Sequence, residues 1–193
     1  MGETKKKPYY KSDACEVSRM ENETGDGIST AFRVFPGIYL LHSDFHMQEC
    51  PTVKSDDADI LWLDFCREGR VEWEISKDKY VYLESGNYVL DIRAGRKFTL
   101  HFPMGHYHGI SLRIHMKEAN QALADFIKGV NIDVYTIRDK FLSEGQPFIT
   151  KGNEIIHHIF EEIEQVPWDS SGEYYKIKVL EILFQLKNME RPK

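Results

Sequence analysis

The stretch LWLDFCREGRVEWEI at residues 61–75 decides the fold of this chain, together with YLESGN at residues 82–87 and FPMGHYHGI at residues 102–110. The first stretch predicts a strand, a charged turn at Glu68 and Gly69, and a second strand. The second stretch predicts a strand that ends in a Gly-Asn turn, and the third a strand that enters from a Pro-Gly corner. Short strands joined by such turns indicate a small antiparallel barrel.

Apolar and polar residues alternate over residues 31–116, as in FTLHF at residues 98–102. A period of two gives each strand one face for a core and one face for water. Turn residues interrupt the pattern at several places, among them Pro36 with Gly37 and Lys77 with Asp78. About seven or eight strands result, and they favour a barrel or jelly roll because closure removes exposed strand edges.

The apolar period becomes that of a helix after residue 116. Two helices are predicted, followed by a last helix that begins after Pro167 and runs to about Glu190. Ser170 and Glu173 have the spacing of a capping box at its start. The apolar sides of the first two helices carry Ala119, Leu123, Phe126, Ile127 and Val130, and then Ile155, Ile156, Ile159, Phe160 and Ile163.

Composition limits the functions that the chain can have. Its 193 residues carry a net charge of −6, the wrong sign for a surface that attracts phosphates, so other residues would have to contact DNA. No apolar run approaches the roughly 20 residues of a membrane span and no signal peptide is evident, which predicts a cytoplasmic protein without a membrane partner. Cys15, Cys50 and Cys66 form no C-x-x-C pair, so neither a disulfide framework nor a zinc-cysteine site is indicated.

The order and spacing of these motifs over residues 32–189 resemble the N-terminal effector-sensing domain of the AraC (arabinose-operon-regulator) family of bacterial transcription regulators. The resemblance implies a mainly β fold, a cupin-like β-barrel or jelly roll followed by a C-terminal helical appendix. The low apolar content of residues 1–27 predicts a flexible segment. The resemblance implies a ligand-sensing barrel at residues 28–116 and a helical dimerisation appendix at residues 117–193. The DNA-binding half of such a regulator would follow residue 193, so we expect DNA contact only through a domain that this chain lacks.

A lone histidine is the first candidate for contact with a small-molecule effector. His108 shares its parity with Ile110 on a predicted strand, and we expect both side chains to point into the barrel. The alternative is a histidine at the barrel mouth that bonds to the backbone. The resemblance implies a ligand-contacting His at this position, and an Arg just before the Gly turn of the first hairpin. Arg67 or Glu68 would occupy that second position, with a register uncertain by one residue.

Three aromatic side chains are further candidates for ligand contact. Phe65, Trp73 and Phe98 share a parity that would point them inward, where they could stack on a flat or apolar ligand face.

A metal ion is not expected, and no cofactor is predicted. His106 and His108 match the H-x-H element of a cupin metal site, but the carboxylate expected four or five residues later is replaced by Leu112 or Arg113. We also expect His106 and His108 to lie on opposite faces of their strand, which would separate them as ligands. The sequence carries no nucleophile elbow, phosphate-binding loop or dinucleotide fingerprint, so we predict that the chain is not an enzyme.

Two alternatives to effector sensing stay open. One is a cupin-type metalloenzyme acting on a small polar substrate, and the other is a stand-alone interaction protein that titrates a regulator through its helical face.

The last helix predicts self-association. One stripe follows spacings of four and three, as in a coiled coil, and a second stripe of Ile177, Leu180 and Phe184 lies on nearly the opposite side. Two apolar faces imply two partners, so we predict a homodimer joined through this helix. The alternative is that the helix is sandwiched within one subunit. The residues of the predicted dimer seam are Tyr175, Val179, Ile182, Leu186 and Met189.

Overall fold

The structure is a computed structural model that describes residues 5–52, 54–167 and 171–191. The predicted helix cap at Ser170 and the first four residues of the predicted flexible segment lie outside these ranges.

The described chain forms eleven strands and four helices. The strands are β1 (Lys5–Lys11), β2 (Cys15–Asn22), β3 (Gly25–Phe35), β4 (Ile38–His46), β5 (Glu49–Pro51), β6 (Ile60–Ser76), β7 (Lys79–Glu84), β8 (Asn87–Ile92), β9 (Thr99–His101), β10 (Tyr107–His115) and β11 (Phe148–Lys151). The helices are α1 (Met116–Phe126), α2 (Val134–Phe141), α3 (Glu154–Gln165) and α4 (Ser171–Asn188).

The strands pair in antiparallel fashion in the order β1-β2-β3-β4-β10-β6-β8-β11. The long strand β6 also pairs with β7 and β9, and β9 pairs with β5, so a second, smaller sheet branches from the first. The sheet curls into a half-barrel that carries helices at its C-terminal end. This architecture confirms the predicted fold class, a mainly β, cupin-like barrel followed by helices.

The predicted turn at Glu68 and Gly69 is wrong, because β6 runs through this position as one strand of 17 residues. On β10, His108 pairs with Glu68 while Gly109 pairs with Cys66, so Arg67 is an extra residue in β6 and forms a β-bulge. Gly69 has a φ of 83°, and a Cβ there would lie 2.4 Å from the His106 carbonyl oxygen. The glycine therefore bends a continuous strand rather than closing a hairpin.

The N-terminal segment is also different from the prediction. Residues 5–27 form β1, β2 and the beginning of β3 rather than a flexible tail. Their registers place Cys15 opposite Phe32 and Asn22 opposite Gly25, which extends the sheet beyond the predicted barrel boundary at residue 28. The backbone hydrogen bonds of the ladder explain how a segment with few apolar residues becomes ordered.

The helices cover one face of the large sheet, and the intervening core contains the buried side chains of both layers. Two elements of the predicted helical appendix were missed by the periodicity, α2 and the strand β11, which pairs with β8. The predicted apolar side of α3 is confirmed except for Ile155, which is half exposed. None of the helices in the described ranges is long and apolar enough to cross a membrane.

The predicted dimer seam of α4 faces the interior of its own subunit. Its first four residues are at most 1% exposed, and Met189 packs against the same core, with its sulfur 3.5 Å from the Tyr88 hydroxyl. On α2, Lys140 donates to the carbonyl oxygens of Leu186 and Met189 at the end of the helix. This stripe is therefore buried within one subunit, as the alternative of a sandwiched helix predicts. The second stripe carries the exposed apolar side chains Ile177 and Phe184.

The two stripes of α4 should respond oppositely to a charge. Ile182 is fully buried and Ile177 is 61% exposed. Ile182→Asp should lower the free energy of unfolding by more than about 4 kcal/mol, because it removes core packing and buries a carboxylate. Ile177→Asp, the matched control on the same helix, should change it by less than about 1 kcal/mol. Urea unfolding of both variants checks this, and equal losses would place both residues in similar surroundings.

His42 lies between β4 and α4. Its Nε2 atom is 3.3 Å from the Tyr175 hydroxyl, which can donate to a neutral imidazole, and its ring meets the edge of Phe32. Burial lowers the pKa of His42 from 6.5 to about 4, because the charged ring would lose its water. The contact between sheet and helix is thus made by a neutral histidine.

Stability should fall in mild acid because of His42. The unfolded chain takes up a proton at this residue near pH 6.5, whereas the folded chain does so only near 4, so acidification through this window favours unfolding. From about pH 7 to about pH 5 the loss from this group is about 2 kcal/mol. His42→Gln should remove that part of the pH dependence, measured by urea unfolding at both pH values. An unchanged pH dependence in the variant would contradict the assignment.

Candidate ligand-binding site

A cavity of about 400 Å³ lies inside the half-barrel, on the face of the sheet opposite the helices. This volume is within the range of small-molecule sites. Its walls come from both sheets and from the segment between β8 and β9. The lining includes Ser18, Ser29, Ser43, Trp62, Asp64, Trp73, Arg93, Arg96, Phe98, Tyr107, Ser111 and Arg113.

A row of small residues opens the cavity. Ser18 on β2 is opposite Ser29 on β3, which is opposite Ser43 on β4, which in turn is opposite Gly109 on β10. The three serines line the cavity. The Tyr107 side chain folds over Gly109, where a Cβ would lie 2.2 Å from the tyrosine oxygen. Four neighbouring strands therefore contribute little side-chain volume along one line, and the space between the sheets stays unfilled.

Aromatic rings form the opposite wall. Trp73 on β6 and Phe98 stack with their centroids 6.1 Å apart. The Arg93 guanidinium lies 4.7 Å from the Trp62 ring centroid and 5.2 Å from that of Trp73, within the range of cation–π contacts. These flat surfaces are suited to the planar or apolar part of a ligand.

Two arginines of the lining are neutralised by buried carboxylates. Arg93 donates to Asp64, and the Arg96 Nη2 atom lies 2.5 Å from Asp91 Oδ1. Burial raises the pKa of Asp91 even though both arginines oppose the shift. The four side chains form a compact charged network behind the aromatic wall, and its attraction offsets part of the cost of removing these ions from water.

Arg113 on β10 is the cation of the lining that this network leaves out. Its guanidinium lies 4.5 Å from the Tyr39 ring centroid and 6.0 Å from that of Trp62. Among the described residues it forms no ion pair, and its buried Nε has no acceptor. Trp73 Nε1 is likewise a buried N–H group without an acceptor in this part of the chain, whereas Arg93 Nε lies 3.7 Å from Asp91 Oδ2 within the charged network. Buried donors are usually satisfied, so the two groups at Arg113 and Trp73 indicate a site for acceptor atoms.

Two of the predicted contact residues line the cavity, Trp73 and Phe98. Phe65 and Ile110 lie instead on the helix-covered face of the sheet, where Phe65 stacks on Phe160 with centroids 4.3 Å apart. The shared inward parity of Phe65 and Trp73 is wrong, because the bulge at Arg67 lies between them and inverts the alternation.

His108, Arg67 and Glu68 also lie outside the cavity. His108 keeps the parity of Ile110, as predicted, but this parity points toward the helix side, and the ring lies 3.5 Å from Asp44. Arg67 pairs with Glu164 on α3 at 2.6 Å, and Glu68 lies 3.6 Å from the His106 ring nitrogen. The expectation that His108 points into the barrel is wrong, because the apolar face of β10 packs against helices. The strand pattern does not show which layer covers that face.

The residues of β10 that do line the cavity, Tyr107, Ser111 and Arg113, were not among the predicted contacts. They alternate with Ile110, Leu112 and Ile114, so the pattern assigns them to the solvent face. The signal in the sequence was an arginine and a serine on the polar face of a strand whose other face is continuously apolar.

Comparisons with known proteins concern the fold. Neither a protein-family model nor a curated protein sequence matches this chain. The AraC-like transcriptional activator CuxR is similar at 11% identity and a TM-score of 0.47, over 92% of this chain and 63% of that one. ToxT from Vibrio cholerae is similar at 11% identity and a TM-score of 0.45, over 77% of this chain and 56% of that one. The chain thus covers less than two thirds of either protein.

A shorter structure is also similar. The cupin domain of an XRE-family transcriptional regulator from Enterobacter cloacae has 13% identity and a TM-score of 0.32, over 57% of this chain and 95% of that domain.

The charged network should contribute far more to stability than a surface pair. Arg93→Ala would leave Asp64 and Asp91 buried without their shared cation, and it should lower the free energy of unfolding by about 3 kcal/mol. Arg19→Ala, the control, breaks the exposed pair with Asp26 at 3.1 Å and should cost less than about 1 kcal/mol. Denaturant unfolding near neutral pH measures both values. Similar losses would mean that the network is solvated like the surface pair.

Proposed function

We propose that this chain is the small-molecule-sensing domain of a transcription regulator and that the half-barrel cavity binds its effector. The observation that carries the proposal is a cavity of about 400 Å³ with an aromatic wall and buried N–H groups of Arg113 and Trp73 that have no acceptor among the described residues. The regulatory role rests on the resemblance of the sequence motifs to the AraC-family sensing domain. We propose that DNA contact is made by residues other than these, since the net charge is −6.

The lining favours an effector with an anionic group and a flat apolar body. A carboxylate beside Arg113 would neutralise the arginine that lacks an ion pair and accept from its Nε atom. The body of the ligand would then lie along Trp62, Trp73 and Phe98. The pairing of Arg93 with Asp64 makes that arginine a weaker anion site, so Arg113 should set the charge preference.

A ligand at Arg113 would act on the strand that carries the helical layer. Leu112 and Ile114, its neighbours on β10, are fully buried on the helix-covered face. Ordering of Arg113 would therefore bias the strand against which α1 packs. We propose this as the route from the cavity to the helices.

Binding is favoured over catalysis at this cavity. No histidine occurs among its described lining residues, which leaves a cupin-type metalloenzyme without the imidazole ligands it would need there. Burial raises the pKa of the Cys66 thiol to about 12, assisted by Glu84, so this thiol stays protonated and is a poor nucleophile.

The proposal includes a homodimer, which remains a prediction. Since the predicted seam of α4 is buried, a dimer through this helix would have to use the exposed Ile177 and Phe184. The same face would serve the alternative of a stand-alone interaction protein.

The ligand preference can be tested with pairs of aromatic carboxylates and their neutral amides, by thermal shift followed by calorimetry. At about 100 times its dissociation constant, a bound carboxylate should add about 2.7 kcal/mol to the free energy of unfolding. Arg113→Gln should weaken carboxylate binding by about tenfold to a hundredfold and leave amide binding nearly unchanged. Arg138→Gln is the matched control, because Arg138 also stacks on a tyrosine, at 4.9 Å, but on α2.

A second variant locates the ligand. Ser43→Leu adds volume to the row of small residues and should abolish binding while the protein stays folded by circular dichroism. The proposal is wrong if amides bind as tightly as carboxylates in every pair, or if Ser43→Leu binds as the unmodified protein does.

A further inference from the structure

Three metal-ligating side chains meet on the outer face of the sheet, opposite the cavity. Asp44 and His46 are two residues apart on β4 and share a face, and His108 on β10 is directly opposite Asp44. The helical layer covers the same face up to His42, which contacts Tyr175, and leaves Asp44 and His46 exposed. The three side chains therefore lie just beyond the edge of the helices, on the two central paired strands of the large sheet.

The spacing of the donor atoms suits one small metal ion. Asp44 Oδ1 lies 2.9 Å from His46 Nε2 and 3.5 Å from His108 Nε2, and all three atoms lie within 4.8 Å of one another. Ligands of a tetrahedral zinc ion, each about 2.1 Å from the metal, are about 3.4 Å apart. The two measured separations from Asp44 fall on either side of this value, so small side-chain rotations would complete the geometry.

We propose that Asp44, His46 and His108 bind a divalent transition-metal ion, preferably Zn²⁺. Two imidazoles and one carboxylate are ligands of the type that zinc takes at sites with three protein ligands, and such sites leave a fourth position open to water or to another molecule. The proposal does not depend on the effector cavity, because the two sites use opposite faces of β10.

The neighbouring charges favour a cation at this position. Glu68 pairs in register with His108, and its carboxylate lies 3.6 Å from His106 Nε2. The His106 and His108 rings are 6.4 Å apart, because side chains two positions apart along an extended backbone point to the same side. The expected opposition of these two histidines is therefore wrong. Two carboxylates at Asp44 and Glu68 attract a divalent ion and orient the imidazoles around it.

The sequence pattern could not indicate this site. A cupin motif places its carboxylate after the histidines on the same strand, whereas Asp44 comes from the neighbouring strand β4. Asp44, on the paired strand, therefore takes the place of the carboxylate that the H-x-H motif lacks.

The site can be tested by zinc titration of the full, untagged chain after treatment with a chelator. Calorimetry and elemental analysis after gel filtration should find one zinc ion per chain. His46→Ala, His108→Ala and Asp44→Asn should each weaken binding by at least about tenfold, since each removes a direct ligand. Circular dichroism and the melting temperature of each metal-free variant should match those of the metal-free unmodified chain, because the three side chains lie outside the buried core.

His158→Ala is the matched control. His158 Nε2 lies 3.6 Å from Glu162 Oε1 on α3, so it forms a histidine–carboxylate pair without a third ligand in the described structure. Its loss should not change zinc affinity, and Arg113→Gln should likewise retain the zinc ion. The proposal is overturned if zinc is removed by gel filtration, if the His46 and His108 variants bind like the unmodified chain, or if His158→Ala weakens binding equally.

Discussion

The β-bulge at Arg67 is the constraint on which the rest of the structure depends. It allows β6 to continue from the large sheet into the small one, and it inverts which residues of the strand face the cavity. Before the bulge Trp62 and Asp64 line the cavity, and after it Val71 and Trp73 do so. One strand thereby forms parts of two walls. Backbone bonds from the turn between β7 and β8 hold the bulge, since Gly86 N–H donates to the Cys66 carbonyl.

The two faces of the large sheet divide stability and binding between them. On one face, fully buried residues such as Leu40, Leu63 and Leu112 pack against the helices. On the other face, the serine row leaves space, and buried N–H groups remain without acceptors, each at a cost of about 1 to 3 kcal/mol. A cavity with such costs is tolerated because the helix-side core is large and densely packed.

The charged side chains are likewise divided between stability and binding. Arg93 and Arg96 are balanced by Asp64 and Asp91, so most of the buried charge is structural. Arg113 is left for a ligand. On the outer face the neutral His42 lies under α4. His108, two positions before Ile110 on β10, lies at the uncovered end of the sheet beside Asp44. The surroundings of a histidine on this face are thus set by where the helical layer ends.

The sequence by itself determined the element types, because local periods and turn residues act over a few positions. The period of two indicated the strands between residues 31 and 116 but not β1, β2 or β11. The helical period indicated α1, α3 and α4, and Pro36 with Gly37 ended β3 where predicted. Trp73 and Phe98 were identified as lining residues, although Phe65 was wrongly grouped with them.

Only the tertiary structure decided which face of each element is buried, and against what. Gly69 suits a turn and a bulge equally well, and the hydrogen-bonded register with β10 selects the bulge. The apolar faces of β10 and α4 were recognised, but an apolar pattern does not say whether its partner is a barrel interior, a helix or a second subunit. The cavity at Arg113 and the cluster at Asp44 each join residues from different strands. Strand pairing brings these residues together, and their spacing in the sequence does not reveal it.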